Sequence, residues 1–212
     1  MRLYISGIKP FMNLQGLELV TNTRRKRIQA YVQTADKARC LVAGLLLRNV
    51  CGVTDDEQLM NGANGKQYLK NGSICFNISH SGDYVVLATA DCEVGVDIEK
   101  IAPYSGAVAA RCFTERELEW LQTQKTDEAF CRLWTAKESI MKATGLGFSL
   151  SPETFCVLPM DASAHFIAGE TWFLDWLIYD SHVICGATHR KPETTEKIIL
   201  DTYDLLVKPN KL

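Results

Sequence analysis

Two carboxylates stand two residues apart in the segment VGVDIE at positions 94–99. Alternate side chains of an extended strand share a face, so Asp97 and Glu99 point the same way and the aliphatic side chains of the segment point the other way. The carboxylates are then roughly 6.5–7 Å apart along the strand, close enough to hold one cation between them. Taken alone, the pattern also fits a half-buried strand with a solvated acidic face.

A second charged group lies in the stretch WTAKESIMKA at 134–143. Glu138 and Lys142 are four residues apart and share one helix face. As an exposed ion pair they would contribute only about 0.3–0.5 kcal/mol. However, Trp134 and Met141 lie near the same stripe and indicate partial burial, where a carboxylate beside an ammonium group is costly unless both are satisfied. Lys137, about 100° around the helix from Glu138, is assigned no more than an orienting role.

A divalent cation would satisfy these acidic groups. If Glu138 joins Asp97 and Glu99, the site has three carboxylates and neither cysteine nor histidine. Ligation by oxygen alone favours Mg²⁺, or Mn²⁺, over zinc. Because Mg²⁺ retains water and accepts phosphate oxygens as further ligands, the chemistry indicates a polyphosphate or pyrophosphate substrate.

Several basic residues could clamp a small molecule that carries several phosphates. They are Arg24, Arg27, Arg39 and Lys66. These residues are too few, and not interleaved with aromatic residues, for a nucleic-acid surface. The run RRKR at 24–27 alternatively forms a solvated surface cluster.

The segment NISHSGDY contains two further polar candidates, Ser79 and His80. Being adjacent, they cannot form a nucleophile–base pair through ordinary geometry. His80 shares its strand phase with Phe76 and Ile78, which fits a histidine at the edge of the core. At the end of the strand it could equally turn toward a phosphate.

Composition describes an ordinary globular chain. Of 212 residues, 47% are apolar and 23% charged, and the formal net charge of -2 gives no bulk attraction to nucleic acid or to an anionic membrane. Eight cysteines include no CxxC pair, and the first residues lack the apolar region of a signal peptide. We therefore expect reduced thiols in a cytoplasmic, monomeric protein without a transmembrane segment.

The elements that position these residues can be predicted from periodicity. A helix is predicted over 35–51, a hairpin joins ICFNISH to YVVLATA, and EVGVDIEK forms a third strand. Thr114 with Glu117 three residues later is typical of a helix start, and another helix spans 127–144. Strands are expected afterwards in TFCVL, AHFIAG, WFLDWLIYD, SHVICGAT and KIILDTY. A long helix precedes a hairpin in both halves, which suggests a weak repeat.

At this point the residues match a known family. The segments FNISHSGDYVV, VGVDIEK and FCRLWTAKESIMKATGLG resemble the Sfp-type 4′-phosphopantetheinyl transferases over about residues 24–152. The resemblance implies transfer of the phosphopantetheine arm of coenzyme A to a serine of an apo acyl or peptidyl carrier protein, with release of adenosine 3′,5′-bisphosphate. It also implies an α+β fold of two similar lobes, assigned to residues 1–101 and 102–212, with the active site in the cleft between them.

The resemblance also assigns roles to residues. Asp97, Glu99 and Glu138 match the metal ligands, Glu138 being also the candidate base, and Lys142 matches the lysine beside the bridging oxygen. The positions that match coenzyme A contacts are Lys66, Ser79, His80 and, more loosely, Arg24, Arg27 and Arg39. Two positions depart from the family pattern: Gln67 replaces a proline that stiffens the Lys66 loop, and Cys40 replaces a hydroxyl residue, so its phosphate contact is in doubt.

Two other functions remain open. A phosphohydrolase that uses carboxylate-bound metal would attack the same kind of substrate with water, and would release phosphopantetheine without any carrier. A non-catalytic carrier-binding module would need no acidic cluster. The intact set argues against it: Asp97, Glu99, Glu138 and Lys142.

Overall fold

Groups of strands and groups of helices follow one another through residues 1–207, the part of the chain described by the structure, which is a computed structural model. The helices are α1 (Asn22–Ala30), α2 (Thr34–Cys51), α3 (Gly106–Cys112), α4 (Glu115–Gln124), α5 (Asp127–Thr144) and α6 (Thr202–Val207). The strands are β1 (Arg2–Gly7), β2 (Leu59–Asn61), β3 (Gln67–Leu69), β4 (Cys75–Ser81), β5 (Tyr84–Ala90), β6 (Val94–Lys100), β7 (His165–Ile167), β8 (Glu170–Tyr179), β9 (His182–Thr188) and β10 (Glu196–Ile199). The predicted α+β class is confirmed.

Two four-stranded sheets form the framework of the molecule. The first has the order β10-β1-β5-β4, and the second has the order β6-β9-β8-β7; β2 and β3 form a separate small hairpin. Helix α2 packs with the first sheet in one apolar core, and α5 packs with the second sheet in another. Gly95 allows β6 to lie directly on α5, since a Cβ at this position would collide with the carbonyl oxygen of Ser139.

Strand pairing crosses the predicted lobe boundary at residue 101. Strand β6 pairs antiparallel with β9, with Asp97 opposite Cys185. Strand β10 pairs in parallel with β1 at the other end of the chain. The predicted N-terminal lobe, residues 1–101, therefore includes a strand whose hydrogen-bonded neighbour lies near residue 185.

Helix α5 spans the predicted residues. Its first turn is capped by Thr126, whose hydroxyl accepts a hydrogen bond from Ala129 N at 3.1 Å. It ends at Gly145, whose φ of 69° is left-handed and suits glycine. The predicted capping box at the start of α4 is present too, with Thr114 and Glu117 satisfying each other's backbone groups.

Two predicted segments differ from the structure, and one helix was not predicted. The basic cluster near residue 24 belongs to α1, whose start is capped by the Thr21 side chain. The segment TFCVL is not a strand: Phe155 and Val157 enter the core from a loop, and a side chain, that of Glu117, satisfies the Val157 N–H. The segment KIILDTY divides into the end of β10 and the start of α6.

All eight cysteines have free thiols, and three of them are buried. Within residues 1–207, no helix combines the length and the apolar character needed to cross a bilayer.

Candidate active site

Six predicted site residues line one cavity of about 380 Å³. Asp97 and Glu99 reach it from β6, and Glu138 and Lys142 reach it from α5. Ser79 and His80 complete the wall from β4, together with Ile78 and Trp134. Residues that are more than 40 positions apart in the sequence thus meet around one space.

Asp97 is the most buried of the acidic groups, with 3% of its surface exposed. Its Oδ1 atom accepts hydrogen bonds from Ser79 Oγ at 2.7 Å and from Lys142 Nζ at 2.5 Å. Its Oδ2 atom is buried and has no hydrogen-bond partner among the described residues. A carboxylate oxygen in this state carries a full desolvation cost, which a bound cation would offset.

Glu99 lies one strand repeat further along β6 and accepts a hydrogen bond from Ser81 Oγ at 3.0 Å. Burial, and then the charge of Asp97, raise the pKa of Glu99 to about 7, while Ser81 and Lys142 act in the opposite direction. Two carboxylates that resist simultaneous ionisation are a favourable setting for a divalent cation.

Glu138 and Lys142 face the same cavity one helical turn apart. Lys142 Nζ is 3.8 Å from Glu138 Oε2, so the predicted pair is present, but the closer partner of Lys142 is Asp97. Burial raises the pKa of Glu138, and the Lys142 charge partly counteracts this shift. A carboxylate with a raised pKa is suited to accept a proton near neutral pH.

The acidic residues fit a hard cation in chemistry, although they are not preassembled around one. Among residues 1–207, no three His, Cys, Asp or Glu side chains form a ready metal-binding cluster. The Lys142 ammonium group lies at Asp97 instead. The all-oxygen ligand set and the unpartnered Asp97 Oδ2 atom fit Mg²⁺ or Mn²⁺.

A second cavity of about 370 Å³ adjoins the first, because Ile78 and His80 line both. Its wall contains all four of the predicted basic residues: Arg24, Arg27, Arg39 and Lys66. The exposed His80 ring lies where the cavities meet, and its pKa is lowered by partial desolvation and by the charges of Arg39 and Lys142. An acidic cavity that opens into a basic one suits a substrate with several phosphates.

The four basic residues are not equivalent. Arg39 donates to the Gly82 carbonyl oxygen through Nε at 2.9 Å and Nη2 at 2.8 Å, and pairs with Asp36 at 2.7 Å. Lys66 pairs with Glu93 and donates to the Ala143 carbonyl oxygen, both at 2.6 Å. These two side chains therefore hold neighbouring loops in place as well as lining the cavity.

The other two basic residues contact only uncharged groups among the described residues. Arg24 donates to the Cys40 carbonyl oxygen at 3.4 Å, and Arg27 donates to Tyr31 Oη at 3.3 Å. Cys40 and Gln67, the two departures from the family pattern, both lie in the wall of the basic cavity.

The sequence did not predict the roles of Lys137 and Ser81. Lys137 is fully buried and pairs with the equally buried Glu117 at 2.7 Å, while also donating to the Pro152 and Phe155 carbonyl oxygens. A buried partner for a lysine cannot be recognised from local spacing, since Glu117 is 20 positions away. Ser81 shares strand phase with Ser79, which is the one signal that could have identified it.

Two family models together match residues 12–193 of the chain. Residues 93–193 match a family model described as the 4′-phosphopantetheinyl transferase superfamily, and residues 12–92 match one described as 4′-phosphopantetheinyl transferase, N-terminal. The 4′-phosphopantetheinyl transferase Sfp of Bacillus subtilis (strain 168) is 31% identical over 156 residues, which cover 68% of this chain and 69% of that protein. The chain belongs to this family.

Other relatives support the same assignment. The 4′-phosphopantetheinyl transferase psf-1 of Bacillus pumilus is 32% identical over 163 residues, covering 73% of this chain and 66% of the relative. The L-aminoadipate-semialdehyde dehydrogenase-phosphopantetheinyl transferase of Xenopus laevis is 36% identical over 179 residues, covering 71% of this chain and 59% of the relative. The chain therefore spans about two thirds of the length of these transferases. The resemblance to Sfp-type phosphopantetheinyl transferases is confirmed.

Proposed function

We propose that the protein transfers the 4′-phosphopantetheine arm of coenzyme A to a serine of an apo acyl or peptidyl carrier protein. The observation that carries the proposal is the convergence of Asp97, Glu99, Glu138 and Lys142 on a cavity that opens into the basic one. The family assignment supports the same reaction. Adenosine 3′,5′-bisphosphate is the second product.

The side chains divide the chemistry between them. The hydroxyl oxygen of the carrier serine forms a bond to the phosphorus of the pantetheine phosphate. As it does so, Glu138 accepts the hydroxyl proton, directly or through a water. The bond from that phosphorus to the oxygen bridging the two phosphates breaks, and Lys142 stabilises the negative charge that develops on this oxygen. Asp97, Glu99 and Glu138 would hold Mg²⁺, or Mn²⁺, which when bound offsets the charge of the pyrophosphate.

The basic cavity is proposed to hold the phosphates of coenzyme A. Arg24 and Arg27 supply donors and positive charge, His80 supplies a ring N–H donor, and Ser79 lies in the adjoining acidic cavity. Arg39 and Lys66 line the same cavity, while the contacts described above already use much of their donor capacity. Their contribution is to shape the cavity and to add positive charge around it.

Two similar lobes are part of the proposal, with a revised boundary. In the first sheet β1, β5 and β4 lie side by side and α2 packs on them; in the second, β6, β9 and β8 lie side by side and α5 packs on them. Each set follows the chain order strand, long helix, hairpin. This correspondence favours a division just before β6 over a division at residue 101, and the two matched family regions meet at 92–93. A monomer in the cytoplasm remains our expectation, for which eight free thiols are suitable.

Intact-mass measurement of apo-carrier proteins tests this function. Candidate carriers from fatty-acid, polyketide and nonribosomal-peptide systems are incubated with the protein, coenzyme A and Mg²⁺. Transfer adds the mass of one phosphopantetheine to the carrier, and replacing its acceptor serine by alanine abolishes the addition. Release of phosphopantetheine into solution without a carrier would instead support the phosphohydrolase.

A further inference from the structure

Side-chain hydrogen bonds join the two sheets where β4 meets β6. Both are edge strands of their sheets, and no backbone ladder pairs them within the described residues. Instead, Asn77 Oδ1 accepts from Val96 N at 3.1 Å, and Ser81 Oγ accepts from Lys100 N at 3.1 Å. These contacts are four residues apart on each strand, so they fix the offset between the sheets.

Ser81 Oγ also makes a second contact. A serine hydroxyl has one proton and can accept through its lone pairs. The Lys100 N–H donates to this oxygen. The Ser81 hydroxyl in turn donates to Glu99 Oε2, with 3.0 Å between the two oxygen atoms. The strand backbone and the carboxylate it carries are therefore held by the same atom.

Ser81 is also fixed from the side of the basic cavity. The next residue, Gly82, has φ of 52° in the turn between β4 and β5, where glycine is favoured. The guanidinium group of Arg39 holds the Gly82 carbonyl oxygen through two hydrogen bonds. A continuous chain of contacts thus runs from Arg39, through the turn and Ser81, to Glu99.

We propose that Ser81 is a positioning residue, which holds the Glu99 carboxylate in the orientation needed to bind the divalent cation. The inference rests on the proposed function, because it assumes that Glu99 is a metal ligand. Ser79 makes a comparable contact with Asp97, but Ser79 also touches Lys142 and lines the cavity. Ser81 does not line it, so its effect on the cation passes through Glu99.

Direct binding of Mn²⁺ to the free protein, without coenzyme A or carrier, tests this role. The electron paramagnetic resonance signal of unbound Mn²⁺ gives the affinity for wild type, Ser81→Ala, Ser81→Thr and Ser151→Ala. Ser151 is the matched control, since its hydroxyl donates to Glu153 Oε1 at 2.6 Å in an exposed pair away from the site. Removing a hydrogen-bond partner of a metal ligand typically costs about 10–100-fold in metal affinity, so Ser81→Ala should bind Mn²⁺ that much more weakly. Ser81→Thr and Ser151→Ala should bind it like wild type.

The outcomes separate this inference from the proposed function. Equal Mn²⁺ affinity in wild type and Ser81→Ala, alongside normal transfer of phosphopantetheine by wild type, overturns the role of Ser81 alone. Mn²⁺ that does not bind to wild type overturns it as well, and carrier mass then shows whether transfer itself occurs. If Ser81→Ala does not fold, Ser81→Thr and Ser81→Val replace the comparison, since they have nearly the same shape and differ by the hydroxyl.

Discussion

The Lys142 ammonium group lies 2.5 Å from Asp97 Oδ1 and 3.8 Å from Glu138 Oε2. It is therefore the counter-charge for two acidic side chains that face one cavity. The lysine proposed to act on the leaving oxygen is thus in direct contact with Asp97, one of the carboxylates proposed to hold a cation. A bound cation and the ammonium group would compete for the same negative charge.

Replacing Lys142 should therefore have opposite effects on metal binding and on turnover. Lys142→Met removes one positive charge beside Asp97, an effect of about 1–4 kcal/mol at roughly 4 Å near a protein surface, so we expect about tenfold tighter binding of Mn²⁺. The same variant should have a lower kcat, because the leaving oxygen loses its cationic partner. Paramagnetic resonance and steady-state kinetics measure the two quantities, with the exposed Lys70→Met as control. Weaker Mn²⁺ binding by Lys142→Met would show that the lysine supports the metal site.

Glu138→Gln should nearly abolish transfer while the fold remains intact. Loss of an acid–base group costs about 10²–10⁴-fold in rate, and loss of a metal ligand adds to this cost. Removing a desolvated charge should leave the melting temperature unchanged or raise it. The control is Glu128→Gln, which removes a carboxylate from the same helix at its exposed pair with Arg132. The rate of carrier modification measures kcat. If kcat of Glu138→Gln is within a few fold of wild type, the Glu138–Lys142 pair is an ordinary salt bridge without a catalytic role.

The elements that carry the site could be predicted because their signals are local. Helix α5 has its N-cap at Thr126 and its stop at Gly145, and the acidic residues of β6 follow strand alternation. The shared cavity required knowledge of which strands and helices meet, and here the family resemblance supplied what periodicity could not. The N-terminal helix α1 was missed because it lacks an apolar stripe: only Ile28 is buried.

Long-range partners account for the rest. Lys137 was ambiguous because its ion pair, with Glu117, joins two helices. The hydrogen bonds of Arg39 to the Gly82 carbonyl oxygen form because α2 packs against the hairpin turn. The sequence does not show this packing, and the position of Arg39 in the chain therefore suggested only a phosphate contact. Val157 was assigned to a strand because apolar residues of a buried loop and of a strand can have the same pattern.

The stability of the metal-free protein should fall as pH rises toward 7. The pKa of Glu99 is raised from 4.5 to about 7, so the folded state binds more protons than the unfolded chain between these values and loses stability across that window. Glu99→Gln removes this titration. The fall in the free energy of unfolding across the window should therefore be smaller by about 1–2 kcal/mol, a figure reduced because the Glu99 side chain is partly exposed. Urea unfolding in EDTA between pH 5 and 8 measures it, with the exposed Glu119→Gln as control. Parallel curves for wild type and Glu99→Gln would show that Glu99 titrates alike in both states.

The buried pair of Lys137 and Glu117 should be sensitive to the loss of one partner. Lys137→Met leaves the Glu117 carboxylate buried without its counter-charge, which typically costs about 3–5 kcal/mol. Changing Glu117 to Gln in the same protein removes the uncompensated charge and should recover part of that loss. Chemical denaturation of the single and double variants measures the coupling between the two sites. The exposed pair gives the reference: Arg132→Met should cost less than about 1 kcal/mol. A similarly small effect of Lys137→Met would mean that water reaches Glu117.

The donor-binding role should separate Arg27 from Arg39. Among residues 1–207, Arg27 contacts no carboxylate, whereas Arg39 pairs with Asp36 and holds the hairpin turn. Arg27→Ala should therefore raise KM for coenzyme A more than it lowers kcat, by roughly 10- to 150-fold if one charged hydrogen bond of about 1.5–3 kcal/mol is lost. Arg39→Ala should also lower kcat, because it releases the Gly82 turn that directly follows His80 and Ser81 at the end of β4.

Comparing coenzyme A with its 3′-dephospho form shows which phosphate each side chain contacts. The wild-type protein should prefer coenzyme A, and a variant that has lost the contact to the 3′-phosphate should have nearly equal kcat/KM for the two donors. Arg24→Ala, Arg27→Ala and His80→Ala are the variants to compare, because all three side chains line the basic cavity and none has a carboxylate partner among the described residues. Lys26→Ala is the matched control, since Lys26 belongs to the same basic run and does not line the cavity. If wild type and all three variants discriminate equally between the donors, these residues do not read the 3′-phosphate, and the basic run on α1 is a solvated surface.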